Sequence, residues 1–307
     1  FRSADNPQNW EGQKYRMFLC NEAGIVLKNR YLWENAVLPM LTDMNGYAIL
    51  AGTPKGKTHR GVDTLFYTMQ QKALSGEIGW WTKTYSTYDN PYLNDYQIQS
   101  IKDTLPSHVI RQEIYGEFVD NQGGLLERRY VNNVEYLPEN LKIYMGVDLA
   151  VSQSESADYT SICVMGVDES EGKDNNKYYI LEVFEFKATE DIIQQNIMAL
   201  AAEYKPKMIA IEKVAAQDYL IQSLKNKCQY RIEPVVPKGS KTERFYPLLV
   251  KYEAGKVYHY AQGRGVQSYI NQALDFPNVG HDDMVDSAVL AYHVANPLNQ
   301  TNFCITF

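Results

Sequence analysis

The sequence predicts an α/β protein whose second half is one mixed sheet with helices on its faces. Three observations carry this. From residue 143 onward, short runs rich in β-branched and aromatic residues are interspersed with segments of helical period. Three such runs follow one another over short polar connections and the later ones are separated by helices, an order suited to a single covered sheet. Acidic residues stand at the ends of these elements.

The elements follow in order. Tyr15–Cys20 and Tyr47–Ala51 are short apolar runs that read as buried strands. Arg30–Thr42, Val62–Leu74 and Asp95–Leu105 read as helices, the second ended by Ser75-Gly76. Asn121-Gln122-Gly123-Gly124 and Pro138-Glu139-Asn140 punctuate the joint, so the expected division is 1–125 and 126–307. In the second half, Ile143–Val147, Thr160–Val167 and Tyr178–Phe186 read as an antiparallel meander. Thr189 is placed to cap a helix that runs to Tyr204 and is closed by Pro206. Then come a strand at Met208–Ile211, a helix near Gln217–Asn226, a strand at Ile232–Val236, a helix near Thr242–Glu253 and a last helix at His281–Ala295.

Composition narrows the class. At roughly 150 residues per domain, 307 residues make about two domains. Hydrophobic residues at 45% and charged residues at 22% are ordinary for a globular chain and exclude disorder or a coiled coil as the main class. No apolar run approaches the ~18 residues of a membrane span, so no membrane partner is expected. The four cysteines are scattered without a CxxC, which points to neither a zinc site nor a disulfide framework, and a reducing cytosol is the simplest compartment. The net charge of −7 excludes a uniformly basic nucleic-acid coat protein. The stretch from Lys238 to Arg264 nevertheless carries net +4, with Lys238, Lys241 and Arg244 at its start.

Three places put carboxylates at the ends of apolar elements: Asp148 after the first strand of the second half, Glu212 after the fourth, and Asp282, Asp283 and Asp286 at the start of the last helix. The first and fourth strands of such a sheet can be neighbours, and a helix N-terminus can lie across their ends. Singly, each acid has a plain reading as a loop cap or a helix-dipole partner. Together they repel one another and call for a cation. Hard divalent ions take oxygen ligands, and two such ions about 3.5–4 Å apart can activate a water and stabilise the leaving oxygen of a phosphodiester. His281 reads either as an aid to the metal or as a helix cap.

Gly146-Val147-Asp148-Leu149-Ala150, Asp158-Tyr159-Thr160, Ile211-Glu212 and His281-Asp282-Asp283-Met284-Val285-Asp286-Ser287-Ala288 resemble the nuclease domain of tailed-phage large terminases. The resemblance covers about residues 140–297 and implies an RNase H-like fold. It implies that Asp148, Glu212 and Asp283 are core catalytic metal ligands for two Mg²⁺ or Mn²⁺ ions. Asp282 and Asp286 would be supporting acids, and Asp158 a further one. Spacing leaves the choice between Asp282 and Asp283 open; the i, i+3 pairing with Asp286 favours Asp283. Lys241-x-x-Arg244 resembles the phosphate-side basic pair of that family, and Lys238 precedes it. The implied substrate is double-stranded concatemeric DNA. The implied partners are the portal protein, the small terminase subunit and the procapsid, and the implied place is the bacterial host cytoplasm.

The first half resembles the later part of a terminase ATPase domain, in Phe1–Pro7, Met17–Ala23, Gly52–Gly56 and Asp89–Tyr92. This implies an incomplete P-loop-type ATPase portion over 1–125, with the Walker A region lying before Phe1. Glu22 would orient the attacking water, and Asn21 stands where the family has Asp. ATP would then be used only by the complete protein. A competing reading takes Ala51–Thr58 as a P-loop of an NTPase without nuclease activity. It requires Lys57-Thr58 to open a helix at once, whereas His59-Arg60-Gly61 follows.

Overall fold

A computed structural model of the chain describes residues 3–59, 61–120, 123–149, 159–172, 175–213 and 218–296. The chain forms two compact units, Phe1–Gly123 and Gly124–Phe307.

In the first unit, β1 (Met17–Cys20) and β2 (Tyr47–Leu50) pair in parallel, Met17 opposite Tyr47 and Cys20 opposite Leu50. Phe18 and Cys20 face a cluster with Ala23, Leu27, Trp33, Val37 and Met40. These residues come from α1 (Ala23–Val26), from a π-helical turn at Leu32–Val37, and from α2 (Leu38–Thr42). A two-stranded hairpin, β3 (Thr58–His59) and β4 (Val62–Asp63), precedes α3 (Leu65–Leu74), whose first turn is capped by Thr64. Asn94 and Gln97 form a capping box at α4 (Asp95–Lys102), and α5 (Ser107–Glu113) closes the unit. The P-loop reading of Ala51–Thr58 fails here. Thr58 and His59 pair antiparallel with Asp63 and Val62, so Lys57-Thr58 opens a hairpin and presents no helical N-terminus to a phosphate.

The second unit contains β5 (Asn132–Val134), β6 (Lys142–Asp148), β7 (Thr160–Asp168), β8 (Lys177–Phe186), α6 (Glu190–Tyr204), β9 (Met208–Glu212), α7 (Asp218–Lys227), β10 (Arg231–Val235), α8 (Lys241–Glu253), β11 (Val257–Tyr260), α9 (Val266–Asp275) and α10 (Asp283–Ala295). Seven strands form one mixed sheet in the order β10-β9-β6-β7-β8-β11-β5. β6, β7 and β8 are the antiparallel meander; every other pairing is parallel. Pro234 lies in β10, at the sheet edge where a strand tolerates a missing N–H. Helices cover both faces of this mixed sheet, the arrangement the sequence predicts.

Both faces are buried, which explains the near-continuous apolar runs. Met145, Val147, Ile162, Val164, Ile209 and Ile211 pack with Ile193, Ile197, Leu220 and Leu224 of α6 and α7. Cys163, Met165, Val183 and Ala210 pack on the other side with Phe245, Tyr252, Tyr269 and the length of α10. β5, β11, α5 and α9 lie beyond the elements that the sequence pattern predicts. β5 and β11 are only three and four residues long, and α9 shows its apolar face only against α10 and the sheet.

α10 lies directly on β6. A Cβ built on Gly146 would stand 2.0 Å from the carbonyl oxygen of Ser287 and 2.3 Å from the amide of Ala291. Only glycine permits that approach. The buried hydroxyl oxygens of Ser161 on β7 and Ser287 on α10 lie 2.9 Å apart and set the helix along the sheet.

Candidate metal centre

Parallel pairing of β6 and β9 places Val147 opposite Ile211. Asp148 and Glu212 follow these two residues, so they stand side by side at the carboxyl ends of neighbouring strands. Val147 and Ile211 point into the α6–α7 face. Strand alternation therefore turns Asp148 and Glu212 to the α10 face. The Gly146 contact brings the first turn of α10, with Asp283 and Asp286, over the same strand ends.

Asp148 is the most perturbed of these acids. Burial, then the negative charges of Asp286, Glu212 and Asp283, push its carboxyl up to about 8, with Lys241 working the other way. Burial and the neighbouring Asp282 also raise Asp283. Asp283 Oδ2 is fully buried without a hydrogen-bond partner. Asp282, at the N-cap position, makes no side-chain cap and instead accepts from Lys241 at 2.5 Å. Asp283 is thus the more enclosed of the two, its side chain 14% exposed against 25%.

The basic residues at the head of α8 stand among the acids. Ser240 and Glu243 form the capping box that starts this helix. From the first position of the helix, Lys241 Nζ reaches Asp286 at 2.8 Å as well as Asp282. Arg244 reaches Asp286 at 3.2 Å and Glu212 at 3.7 Å. Burial disfavours the Lys241 ammonium, but the hydrogen bonds it donates to Asp282 and Asp286 outweigh this and hold its pKa above the ordinary range. Lys238, before the helix, is exposed. Arg264, at the far end of the basic stretch, is clamped by Glu182 at 2.7 and 2.8 Å, so the stretch does not form one continuous basic face. Tyr252 and Tyr269 are core residues, and Tyr258 stacks on Tyr179.

Two residues of the site, Gln272 and Glu185, carry no signal in the local sequence pattern. In α9, Gln272 Oε1 accepts from the amide of Met284 and shares the amide of Val285 with the carbonyl of Asp282, at the first turn of α10. On β8, Glu185 pairs with Ser161, which pairs with Asp148 on the next strand, so the three lie in one row across the sheet. Burial and then Asp283 raise the Glu185 pKa, while His281 and a hydrogen bond from Gln272 oppose the rise. His281 itself is exposed and stands 4.0 Å from Asp283 Oδ2. Asp158 lies outside the described residues.

The donors gathered here are all carboxylate oxygens, largely buried, with two basic side chains for six acids. That excess of negative charge, with buried oxygens left unpartnered, fits a hard divalent cation. Among the described residues no three acids form a ready cage for an ion. Lys241 and Arg244 bridge them instead.

In the first unit the turns after β1 and β2 pack together. Ala23 N donates to Ala51 O at 2.9 Å, and a Cβ on Gly52 would stand 2.6 Å from the Ala23 amide. Glu22, in this contact, is held at φ 55 in the left-handed region, uncommon for a residue with a Cβ. Asn21 and Glu22 are both exposed.

Comparison with known proteins follows this division. Residues 145–294 match the family model described as the terminase RNaseH-like domain. No curated protein matches significantly. Among solved structures, the large terminase nuclease of thermophilic phage G20c with bound magnesium is 16% identical, at a TM-score of 0.44 over 56% of this chain and 97% of that one. The nuclease domain of bacteriophage SPP1 with bound Mn is 14% identical, at 0.38 over 54% and 97%. The large terminase of bacteriophage HK97 is 12% identical, at 0.40 over 92% and 71%. Over residues 145–294, then, the second unit is similar to the terminase RNaseH-like domain.

Proposed function

We propose that the second unit is a metal-dependent endonuclease of a phage DNA-packaging motor, hydrolysing phosphodiester bonds of double-stranded DNA. The observation that carries this is the meeting of Asp148 and Glu212, on adjacent parallel strand ends, with the first turn of α10. Asp148, Glu212 and Asp283 are the residues that would hold Mg²⁺ or Mn²⁺, with Asp282 and Asp286 beside them. Such a pair of ions supplies Lewis acidity for the attacking water and the leaving 3′ oxygen.

The chain's own residues have distinct tasks. The strand ends fix Asp148 and Glu212 on a rigid scaffold, which narrows their positions more than a loop would. Buried Asp286 balances Lys241 and Arg244 in the resting site. Once the acids are otherwise neutralised, these two side chains are free to take phosphate oxygens, Arg244 through its planar fork and Lys241 as a point charge. Exposed Lys238 adds to the same path.

The first unit reads as the later part of an ATPase domain, with Glu22 to orient water beside Asn21. Support comes from the packed turns after the parallel strands β1 and β2. In the complete motor, ATP, the portal protein, the small terminase subunit and the procapsid would be its partners, in the host cytoplasm.

The test is plasmid nicking and linearisation in Mg²⁺ or Mn²⁺ by the wild type, Asp148→Asn and Asp283→Asn. Cutting that needs the metal and is lost in both variants is expected. A folded wild type that neither cuts nor takes up metal would overturn the reading.

A further inference from the structure

Strict alternation along Tyr178–Phe186 would put Glu185 with Tyr179 and Leu181, on the α6–α7 face of the sheet. The structure puts it on the other face. Val164 pairs with Glu182 while the next residue, Met165, pairs with Ile180, so Leu181 is an extra residue in β8. This bulge shifts the phase: Tyr178 and Ile180 before it, and Val183 after it, all pack on the α10 side. Glu185 follows two residues later, opposite Ser161, whose hydroxyl meets Ser287 of α10. Bulges commonly re-aim a side chain beside an active site.

The carboxylate delivered there is incompletely satisfied. Glu185 Oε1 and Asp283 Oδ2 are both fully buried, and neither has a hydrogen-bond donor. The two carboxyl groups interact directly. Two interacting carboxylates that each keep a buried oxygen without a donor repel, and the arrangement costs free energy unless a positive charge joins it. Gln272 holds the pair in place. It accepts from the Met284 and Val285 amides beside Asp283 and also reaches Glu185. One glutamine therefore ties the strand carrying Glu185 to the helix carrying Asp283.

We propose that Glu185 is a further metal-facing residue of the site, forming with Asp283 a carboxylate pair that a divalent cation joins. The proposal rests on reading the site as a metal centre, and it deepens that reading by naming a donor on β8 besides those on β6, β9 and α10. The cation is one that accepts hard oxygen donors, and Mn²⁺ is the probe.

The experiment measures Mn²⁺ binding to the metal-free chain by titration calorimetry, for the wild type, Glu185→Gln and Asp283→Asn, with thermal melts of each metal-free protein. Glu185→Gln keeps the shape, removes one of the two facing charges and adds donors for Asp283. Its metal-free melting temperature should equal or exceed that of the wild type, and its Mn²⁺ affinity should fall roughly 10–100-fold, the scale of a lost supporting ligand. Restoration of most of that affinity in Glu185→Asp would separate charge from packing. Wild-type affinity in Glu185→Gln, with affinity lost in Asp283→Asn, would overturn the proposal and leave the metal centre standing. No Mn²⁺ uptake by the wild type would overturn both.

Discussion

Ser161 and Ser287 meet across the interface between sheet and helix, their hydroxyl oxygens 2.9 Å apart in the core. Ser161 is the ladder partner of Asp148, and Ser287 follows Asp286 and donates to Met284 O. The contact therefore sets where the acids of α10 fall relative to the acid of β6. Ser161→Ala should cost about 1 kcal/mol, the usual scale of a buried hydrogen bond. Gly146→Ala should cost about 3 kcal/mol, since its Cβ would meet backbone atoms at 2.0 and 2.3 Å that cannot rotate away. It should also weaken metal uptake by lifting α10 from β6. Denaturant melts and Mn²⁺ titration of both variants check this; a Gly146→Ala protein with wild-type stability would refute the close approach.

Asp148 makes metal-free stability depend on pH. Its folded pKa, about 8, lies above the ordinary carboxylate value. The folded protein therefore holds a proton that the unfolded chain gives up, and between about 4 and 8 stability falls as pH rises. Asp148→Asn should flatten that slope. Because metal binding requires the deprotonated carboxylate, uptake at pH 7 should release a proton. Binding enthalpies in buffers of different ionisation heat give the number released.

Arg244 is largely buried and pairs with both Glu212 and Asp286. Arg244→Ala leaves Glu212 without its cation and Asp286 with Lys241 alone, and should cost about 3 kcal/mol in the metal-free protein. Divalent metal should restore much of that loss. Melting temperatures with and without Mg²⁺ test it; an equal loss in both states would show that Arg244 packs rather than neutralises.

His259 opposes Asp148 in acid. Its ring stands between Tyr252 OH, at 2.9 Å, and the carbonyl of Asn132, at 3.2 Å. Burial pushes its pKa down to about 4, with the Asn132 carbonyl opposing. The unfolded chain then takes up a proton that the fold excludes, so its contribution is complete above about 6.5 and is lost as pH falls toward 4. In an Asp148→Asn background this acid limb should be plainer, and His259→Gln should reduce it to what His108 and His293, also lowered by burial, contribute. pH-dependent melts of the two proteins decide the matter.

The hairpin at Lys57–Asp63 predicts that this chain does not turn over ATP. A phosphate-release assay should show no rate above background. Turnover abolished by Lys57→Ala would restore the P-loop.

Local pattern carried much of this protein. Strand runs, the helix near Thr242–Glu253 and carboxylates at the ends of Ile143–Val147 and Met208–Ile211 are legible because each depends on residues near in sequence. So does the start of α10, where Asp282, Asp283 and Asp286 cluster. The row from Asp148 through Ser161 to Glu185 is not legible, because a bulge one residue long reverses the facing of everything after it. The bridging of Asp282 and Asp286 by Lys241, of Glu212 and Asp286 by Arg244, and the hold of Gln272 on α10 join residues far apart in the chain. Sequence by itself determined which acids end which elements. Only the tertiary structure decided which charges they meet, because burial and close approach set those energies and neither is a property of a local segment.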